Sequence, residues 1–563
     1  MADTPATLTE RDLASVHEAK TLVARAKAAA PILAEFSQEQ IDRIVDAVAA
    51  AARPRAEEFA RLAVEETGFG VVADKIQKNI FASERVYEFI RPMKTVGVVA
   101  RDEARKVVEI AEPFGVVAAI VPSTNPTSTA IYKILISLKA RCPVVLSPHP
   151  SAAKCITRVA ELLADAAHSA GAPQGAVNWM TTVTLAGTQE LMHNRGVAVI
   201  LATGGMGLVR AAYSAGKPAY GVGPGNAPCF IERTADVAKA ANDILTGKSF
   251  DNGVLCSSPN SVVVDSAVAD EAKRQFTAQG GYFLSPAETD ALAKLLVTPQ
   301  RLPNPKFVGK SAVVIAKALG ITVPADTRAL IAELKGVGRD FPLSIEKLCP
   351  VLSYYVVADW REGCERCKEI LRYGGMGHTM SIHSQNEAVI LEFGLKKPAF
   401  RICVNTPTTH GSIGLTTGLD PAMTLGCGGY GGNITSDNIS PKHLLNTKRL
   451  AWELRPAPRG ASAGSPDRAA LPKVDRPDVA AGLDAAALSA RIETLAGGTP
   501  AAPPTAPAPA NQSVAAFVCE EDVRHAIKLG RTITLGERTI VTPSARDAGD
   551  AAKVFVYANW RRP

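Results

Sequence analysis

The stretch GVVAAIVPSTNPTSTAIYKILISLKARCPVVL, residues 115–146, decides the fold class of this chain. It opens with an apolar run at 115–121 and closes with a second run at 143–146, and Gly or Pro marks the start of each. Between the runs, residues 128–139 repeat apolar side chains at the three- and four-residue spacing of a helix. The order strand, helix, strand predicts two parallel strands of one sheet.

Strand and helix patterns alternate along most of the first 455 residues, which predicts an α/β fold with a parallel sheet wound on both sides. Residues 10–60 precede the alternation and have a helical apolar spacing of their own. A second α/β stretch runs from Asp236 to about Thr424. The predicted strands are 115–121, 143–146, 197–201, 229–231, 261–264 and 351–357, and the predicted helices include 128–139, 152–170 and 206–215.

Length, composition and charge exclude several classes of protein. The 563 residues suit two or three domains, and 47% apolar against 21% charged residues indicates a globular chain with a sizeable core. The net charge is only +7 and no dense Lys/Arg stripe is interleaved with aromatics, so nucleic acid is not an expected partner. Residues 1–30 lack the apolar core of a signal peptide, and no long uninterrupted apolar run occurs, which predicts a cytoplasmic protein with no membrane span.

Ten cysteines are scattered along the chain, a usage typical of reduced thiols rather than of a disulfide framework. Only Cys364 and Cys367 stand close together, without a second such pair or a histidine at ligand spacing. We therefore expect no metal site there, but a helix that carries two thiols.

The composition changes after Leu454. Residues 456–515 are dominated by Ala, Pro, Gly and Ser, which predicts an extended linker. Within the linker, apolar residues fall on one face of an amphipathic helix predicted at 478–496, and these are Ala481, Ala485, Leu488, Ile492 and Leu495. Periodicity returns at 516–563, a small module with a predicted helix at 521–529, two short strands around Gly536 and a helix starting at Ser544.

One cysteine stands in a context that suggests chemistry. Cys256 follows SFDNGVL, residues 249–255, and precedes a predicted strand, so it lies where a loop enters a sheet. A thiolate adds to an aldehyde carbon to give a hemithioacetal, which becomes a thioester when it loses hydride. From the residue alone, an inert core cysteine is the more common case.

Seven motifs bring a family resemblance, and they span roughly residues 20–455. They are PSTNP (122–126), SPHP (147–150), LATGGM (201–206), GKPAYGVGPGN (216–226), FDNGVLC (250–256), GGMGHT (374–379) and TLGCGGYGGN (424–433). In order and content they resemble the aldehyde dehydrogenase superfamily, specifically its coenzyme A-acylating branch of ethanolamine- and propanediol-utilisation enzymes and the N-terminal half of bifunctional aldehyde–alcohol dehydrogenases. The resemblance implies a Rossmann-like cofactor domain, an α/β catalytic domain and a small oligomerisation element.

The resemblance also implies roles for individual residues. Cys256 is the expected nucleophile, and Asn125 is the expected oxyanion donor together with the backbone N–H of Cys256. Glu346 matches the glutamate that binds the nicotinamide ribose. The other expected contacts to NAD are Ser147, Pro148, His149, Thr203, Gly204, Gly205 and Gly223. From the residues alone, Asn125 before proline would be a turn residue and Glu346 a solvated helix residue.

The segment YGVGPGN, residues 220–226, contains no acidic residue. Hydrolytic members of the superfamily carry a glutamate here that activates water against the thioester. Without that base a thiol can outcompete water, so the expected acyl acceptor is coenzyme A and the expected reaction converts a short-chain aldehyde to acyl-CoA with NAD. A hydrolytic enzyme that releases the free acid and a non-catalytic scaffold of the same fold are the alternatives.

Several points stay open from the sequence. His378 can either act on the incoming thiol or be a packed histidine. No acidic residue closely follows the strand at 143–146, so the choice of NAD over NADP rests on the resemblance. The aldehyde can be acetaldehyde, propanal or a charged one such as sulfoacetaldehyde. The GKS at 247–249 is not a phosphate loop, because Asn242 stands where that motif requires glycine.

The resemblance divides the chain into expected parts and implies partners. Residues 1–235 are N-terminal helices with the cofactor domain, 236–424 the catalytic domain, and 425–455 a return to the cofactor and oligomerisation region. A homo-oligomer, dimer or tetramer, is expected through strands near 107–110 and 444–454. Residues 470–563 resemble the targeting peptides and tails of bacterial microcompartment enzymes, which implies a shell protein as a further partner, with a dispensable tail as the alternative.

Overall fold

The computed structural model describes residues 8–457 and 514–558. Two compact units divide the chain at Pro456. The amphipathic helix predicted at 478–496 and nearly all of the predicted linker lie outside the described residues. Within the two described ranges, no helix combines the length and the apolar character needed to cross a bilayer.

Strands and helices alternate over most of the first unit, which confirms the predicted α/β fold. Its strands are β1 Gly97–Asp102, β2 Val107–Pro113, β3 Val116–Val121, β4 Val144–Pro148, β5 Val177–Trp179, β6 Val197–Thr203, β7 Ala219–Val222, β8 Ala227–Ile231, β9 Pro259–Asp265, β10 Gly281–Phe283, β11 Ala329–Glu333, β12 Val351–Val357, β13 Gly377–His383, β14 Ala399–Val404 and β15 Leu445–Ala451. Its helices are α1 Glu10–Ala34, α2 Gln38–Ala52, α3 Ala56–Thr67, α4 Val72–Ile80, α5 Val86–Ile90, α6 Pro126–Lys139, α7 Ala153–Ser169, α8 Leu185–His193, α9 Met206–Tyr213, α10 Val237–Ser249, α11 Ala269–Ala278, α12 Pro286–Leu296, α13 Ala312–Leu319, α14 Trp360–Tyr373, α15 Glu387–Leu395 and α16 Thr408–Ser412.

Five parallel strands form the first sheet in the order β5-β4-β3-β6-β7. Strands β3 and β4 are buried on every residue, because helices cover both faces of the sheet and apolar side chains are needed on each. Helix α6, which connects them, is also buried along its whole length. The chain runs outward from β3 to β4 on one side and to β6 on the other. The carboxyl ends of β3 and β6 therefore flank the topological switch point, where such sheets bind ligands.

Seven parallel strands form the second sheet in the order β10-β11-β12-β9-β8-β13-β14. Strand β9 is buried throughout, and β12 is buried at every residue except Val356. A 3₁₀ turn, Phe250–Gly253, and then Cys256 precede β9, so both lie at the amino edge of this sheet. Glu346 precedes β12 at the same edge.

Strands β1, β2 and β15 form a separate antiparallel sheet. Strand β15 pairs with β2 from Leu445 opposite Pro113 to Ala451 opposite Val107. Six of the seven residues of β15 are exposed. Exposed apolar side chains continue past its end, since Trp452 leaves 55% and Leu454 57% of its surface accessible.

The second unit has a small core of its own. Its elements are β16 Ala515–Val518, α17 Glu520–Lys528, β17 Ile533–Val541, α18 Pro543–Ala552 and β18 Phe555–Tyr557. Its three strands are parallel, and its buried residues are Val518, Val523, Leu535, Ala545 and Val554. The prediction of two short strands around Gly536 is wrong, because one strand runs through this glycine. The pairing of β17 with β16 shifts there, so Gly536 marks a bulge and not a turn.

Cys364 and Cys367 both lie on α14, which is the predicted helix with two thiols, and both are buried. All ten cysteines are free. Among the residues that the structure describes, no cluster of three or more side chains could hold a metal ion.

Candidate active site

A cavity of about 440 Å³ opens at the switch point of the first sheet. The chain segments that follow three neighbouring strands form one side of it, and these are residues 122–125 after β3, 147–150 at the end of β4 and 203–205 at the end of β6. The other side comes from the amino edge of the second sheet, with Val254, Cys256, Glu346 and Leu348. The cavity therefore joins the ligand-binding edge of one parallel sheet to a cysteine on the other.

All ten site residues predicted from the sequence line this cavity. They are Asn125, Ser147, Pro148, His149, Thr203, Gly204, Gly205, Gly223, Cys256 and Glu346. Since they stand up to 221 positions apart in the chain (346 − 125), the fold alone brings them together. Their individual roles remain predictions.

Asn125 caps the amino end of α6, directly after the loop that leaves β3. Its side-chain Nδ2 donates to Thr124 Oγ1 at 3.2 Å, and its Oδ1 accepts from Lys78 Nζ at 2.6 Å. An amide NH₂ has two hydrogens, so one N–H of Asn125 is left for a group in the cavity. That is the hydrogen-bond donor which an oxyanion site requires.

The turn before Cys256 has an unusual backbone. Asp251, Asn252 and Gly253 have φ values of 51°, 53° and 72°, three left-handed residues in a row. Asp and Asn tolerate this region better than other side chains do, and Gly253 enters it without strain. Asp251 is fully buried and accepts hydrogen bonds from the N–H of Val71 at 2.7 Å and from Lys75 Nζ at 2.9 Å. These bonds hold the turn so that Cys256 reaches the cavity.

In the absence of ligands, the thiol of Cys256 ionises much less readily than an ordinary cysteine. Burial raises the pKa of Cys256 to about 12, and the negative charge of Glu346 adds to the effect, while Arg401 opposes it. The side chain is nevertheless partly exposed, in contrast to the buried cysteines at 142, 155, 229, 349, 364, 367, 403 and 427. Cys256 is thus accessible from the cavity but protonated at neutral pH in the absence of ligands.

Gly225 lies in contact with both Glu346 and Cys256. Its N–H donates to Glu346 Oε1 at 2.9 Å, and burial raises the pKa of Glu346 to about 8. A Cβ at Gly225 would lie 2.1 Å from the carbonyl oxygen of Cys256, which no side chain could do without moving the backbone. Position 225 must therefore be glycine, and residues 223–225 themselves contribute no carboxylate, so Glu346 is the carboxyl group on this side of the cavity.

The cavity fits a dinucleotide at the loop between β6 and α9. Gly205 caps α9, a helix of eight residues, and no side chain covers its first N–H groups. A Cβ at Gly205 would meet nothing within 4 Å, so the space in front of the helix is open. Free N–H groups at a helix start bind phosphate groups, because the helix dipole favours negative charge there.

Two of the predicted cofactor contacts also bond within the protein. Ser147 is buried, and its Oγ lies 2.9 Å from Oγ1 of Thr188 on α8. His149 Nδ1 accepts from the N–H of Ser151 at 3.2 Å, and burial lowers the pKa of His149, so this histidine is neutral at pH 7. Both residues line the cavity, although Ser147 itself has no accessible surface.

His378 lies outside the cavity lining, behind Gly225. Its exposed fraction is 1%, and burial lowers its pKa to about 3, with Arg401 contributing. Its Nδ1 lies 2.9 Å from Thr379 Oγ1, while Nε2 has no hydrogen-bond partner. In this structure His378 is a buried neutral histidine.

Sequence reasoning missed a buried set of charged residues beside the cavity. Lys75 and Lys78 on α4 each leave 2% exposed, and both pair with Asp251. Asp74 accepts a hydrogen bond from the N–H of Asp251 at 2.7 Å, and burial raises the pKa of Asp74. Two lysines three positions apart on an amphipathic helix usually face solvent, so the sequence pattern contains no signal for this set.

The fold and site together define a class of protein. It is an α/β enzyme that presents a cysteine to the dinucleotide-binding edge of a parallel sheet. The model of the aldehyde dehydrogenase family matches residues 3–280. The chain belongs to the aldehyde dehydrogenase family.

Curated and solved relatives agree with this assignment. The bifunctional aldehyde-alcohol dehydrogenase AdhE of Escherichia coli strain K12 is 42% identical over 442 residues, which are 78% of this chain and 50% of that protein. The chain thus spans about half the length of such curated relatives. The acetylating succinate-semialdehyde dehydrogenase of Clostridium kluyveri is 37% identical over 77% of this chain and 95% of its own length. The crystal structure of an acetylating aldehyde dehydrogenase from Geobacillus thermoglucosidasius superimposes with a TM-score of 0.79 and 48% identity, and covers 80% of this chain and 100% of that one.

Proposed function

We propose that this chain oxidises a short-chain aldehyde to an acyl-CoA thioester through Cys256, with NAD as the hydride acceptor. The observation that carries the proposal is the cavity itself, where a partly exposed cysteine meets a dinucleotide-type sheet edge beside a segment, residues 220–226, that contains no acidic side chain. Two relatives named above are acetylating dehydrogenases, which agrees with coenzyme A as the acyl acceptor.

In this proposal Cys256 forms the covalent bond to the aldehyde, and Asn125 stabilises the charge that develops on its oxygen. The sulfur of Cys256 adds to the aldehyde carbon, and its proton leaves to solvent. The free N–H of Asn125 and the backbone N–H of Cys256 donate to the oxygen on which negative charge develops. Removing one donor of this kind typically costs about a hundred- to a thousand-fold in rate. Loss of hydride then leaves the acyl group on sulfur as a thioester.

Residues of the first sheet would hold the cofactor. The N–H groups at the start of α9, with Gly204 and Gly205, would bind its pyrophosphate, and Glu346 would accept hydrogen bonds from the ribose beside the nicotinamide. NAD, when bound, supplies a hydride acceptor of suitable potential. Glu346 binds hydroxyl groups best as a carboxylate, and its raised pKa of about 8 means that a ribose partner must compete with protonation.

The choice between coenzyme A and water depends on what stands near the acyl group. A hydrolytic enzyme needs a base to deprotonate water. Residues 223–225, Gly-Pro-Gly, offer none, and a side chain at 225 is sterically excluded. The thiol of coenzyme A is a far better nucleophile than neutral water, so transfer to it outruns hydrolysis.

Product analysis tests this function. We expect NADH formation from acetaldehyde or propanal to rise strongly when coenzyme A is added, with the acyl-CoA thioester as the main product by mass spectrometry. The same assay with sulfoacetaldehyde shows whether a charged aldehyde is preferred. The assay with NADP in place of NAD shows which cofactor is preferred. Free carboxylic acid as the main product at saturating coenzyme A would favour the hydrolytic alternative, and no turnover of any aldehyde would favour the scaffold.

We further propose that the chain works as a homo-oligomer, a dimer or a tetramer. The three-stranded sheet of β1, β2 and β15 supports this, because six of the seven residues of β15 are exposed. The exposed apolar side chains are Leu450 in β15 and Trp452 and Leu454 just after it. Apolar surface of this kind is typically covered in an assembly.

The residues after Arg455 are proposed to be a targeting element for a protein shell. A second compact unit with its own core, at the end of an Ala/Pro-rich segment, supports a separate task for this part of the chain. On this proposal the enzyme resides in the cytoplasm within a microcompartment.

A truncation that ends at Arg455 tests both proposals. We expect the truncated protein to keep the oligomer by light scattering and to keep its activity, because both depend on the first unit. A fluorescent protein fused to residues 470–563 is expected to localise to shells in a shell-forming cell, while the truncated enzyme stays diffuse. The reverse pattern, with a diffuse fusion and a correctly targeted truncation, would contradict the targeting role, and a monomer at micromolar concentration would contradict the oligomer.

A further inference from the structure

The amide of Asn125 is held by Lys78 on its oxygen and by Thr124 on its nitrogen. The Nζ of Lys78 lies 2.6 Å from Asn125 Oδ1, and the ammonium also pairs with the carboxylate of Asp251. Burial lowers the pKa of Lys78 to about 7, and the negative charge of Asp251 opposes this shift and favours the ammonium, which has donors only. Rotating the amide by half a turn would turn its N–H groups toward this ammonium, so Lys78, together with Thr124 Oγ1, sets the orientation of the amide.

Lys78 also connects the two reacting parts of the cavity. Asp251 belongs to the left-handed turn that precedes Cys256, and Asn125 belongs to the loop that follows β3. Lys75 makes a second connection of this kind, from Asp251 Oδ2 at 2.9 Å to the carbonyl of Thr124 at 3.1 Å. Lys75 reaches only backbone there, so Lys78 alone of this pair bonds the side chain of Asn125.

The burial of Lys78 excludes direct contact with substrate or cofactor. It exposes 2% of its surface and does not line the cavity, so it cannot touch substrate or cofactor. A buried lysine costs stability unless it is paired, and Lys75 already pairs with the same carboxylate. Asp74 bonds the N–H of Asp251, so this buried set holds two carboxyl groups and two lysines, and Lys78 is the lysine that also donates to the Asn125 side chain.

We propose that Lys78 is a positioning residue for the oxyanion site, which orients the Asn125 amide so that its free N–H faces the aldehyde oxygen above Cys256. This inference rests on the proposed function, because it assigns Lys78 a role in the same reaction. Of the residues that line the cavity, Asn125 is the one that Lys78 bonds, while the ion pair of Lys78 with Asp251 reaches the turn before Cys256.

The test combines Lys78 variants with Asn125→Ala in a double-mutant cycle. Lys78→Met removes the donor, and Lys78→Gln removes the charge but keeps an N–H that can reach Asn125 Oδ1. Lys139→Met is the matched control: Lys139 is fully buried at the opposite end of α6, where it bonds Asp42 Oδ1 at 2.5 Å and the carbonyl of Arg91 at 2.8 Å. Each protein is measured for kcat, for the KM of the aldehyde and for its thermal unfolding midpoint.

We expect Lys78→Met to lower kcat about tenfold or more with little change in KM, and Lys78→Gln to lie between it and the wild type. In the Asn125→Ala background neither variant should lower kcat further, because the group they orient is gone. Lys139→Met should lower the unfolding midpoint and leave kcat unchanged. If Lys78→Met does not fold, Lys78→Gln in the two backgrounds gives the same comparison.

The outcomes separate this inference from the proposed function. Equal falls in kcat with and without Asn125, or no fall at all, in an otherwise active enzyme would overturn the role of Lys78 alone. A wild-type protein that forms no NADH from aldehyde and coenzyme A would overturn the proposed function, and the role of Lys78 with it.

Discussion

The Cys256→Ala variant is expected to form neither NADH nor acyl-CoA from any aldehyde, a loss of about ten-thousand-fold or more, as for other covalent nucleophiles. The cavity is lined by several hydroxyl groups but by no other thiol. A hydroxyl of Ser or Thr is weakly nucleophilic without an adjacent base, so none can replace the sulfur. The variant should fold normally, since a partly exposed thiol contributes little to packing. A coupled assay with mass spectrometry of the product gives the measurement.

Cofactor binding in this variant distinguishes chemistry from binding. The groups that would hold NAD are the backbone N–H groups at the start of α9, next to Gly204 and Gly205, and the side chain of Glu346, and none of them depends on the thiol. We therefore expect the dissociation constant for NAD to change by less than about threefold, measured by calorimetry. Cys519→Ala is a suitable control, because Cys519 is the other partly exposed cysteine and lies in the second unit. Residual turnover within tenfold of the wild type would remove Cys256 from the mechanism.

The sequence predicted the fold where apolar pattern and burial coincide. The six strands predicted from apolar runs in the first unit all form, because a parallel sheet covered on both faces requires the continuous apolar runs that β3, β4 and β9 contain. Strand β13 was not predicted although every residue of it is buried. Its sequence GHTMSIH alternates two histidines, a threonine and a serine with few apolar residues, so it lacks the continuous apolar run by which the other buried strands were predicted.

The sequence predicted the residues that line the candidate site, but not the buried residues that hold them in place. Glycines and the isolated cysteine stand in motifs, and the structure brings all ten predicted residues to one cavity. The residues that hold this lining in place have no such signature. Lys78 looks like a surface lysine in the sequence, and only the packing of α4 against the turn at Asp251 makes it a buried partner of Asn125. Local patterns do not encode contacts between residues 47 positions apart.

Alkylation of Cys256 in the absence of ligands is expected to be slow and steeply dependent on pH. With its pKa raised to about 12, the thiol ionises at pH 7 about three-thousand-fold less than an unperturbed cysteine of pKa about 8.5. Iodoacetamide labelling of the Cys519→Ala protein, followed by mass spectrometry, should therefore accelerate as the pH rises from 7 to 10, with no plateau. A plateau below about pH 9 would show an ionised thiol and contradict the effect of burial.

Glu346→Gln tests the electrostatic part of the same shift. The carboxyl of Glu346 has a pKa of about 8, so it becomes negative over the range in which the thiol begins to ionise, and its charge opposes a second negative charge on sulfur. In the wild type the labelling rate should thus rise less than tenfold per pH unit near pH 8. Glutamine keeps an oxygen for the N–H of Gly225 but never ionises. We expect Glu346→Gln to label faster than the wild type at pH 9 and at the same rate at pH 6, where both side chains are neutral. Equal rates at pH 9 would mean that burial alone raises the pKa of Cys256.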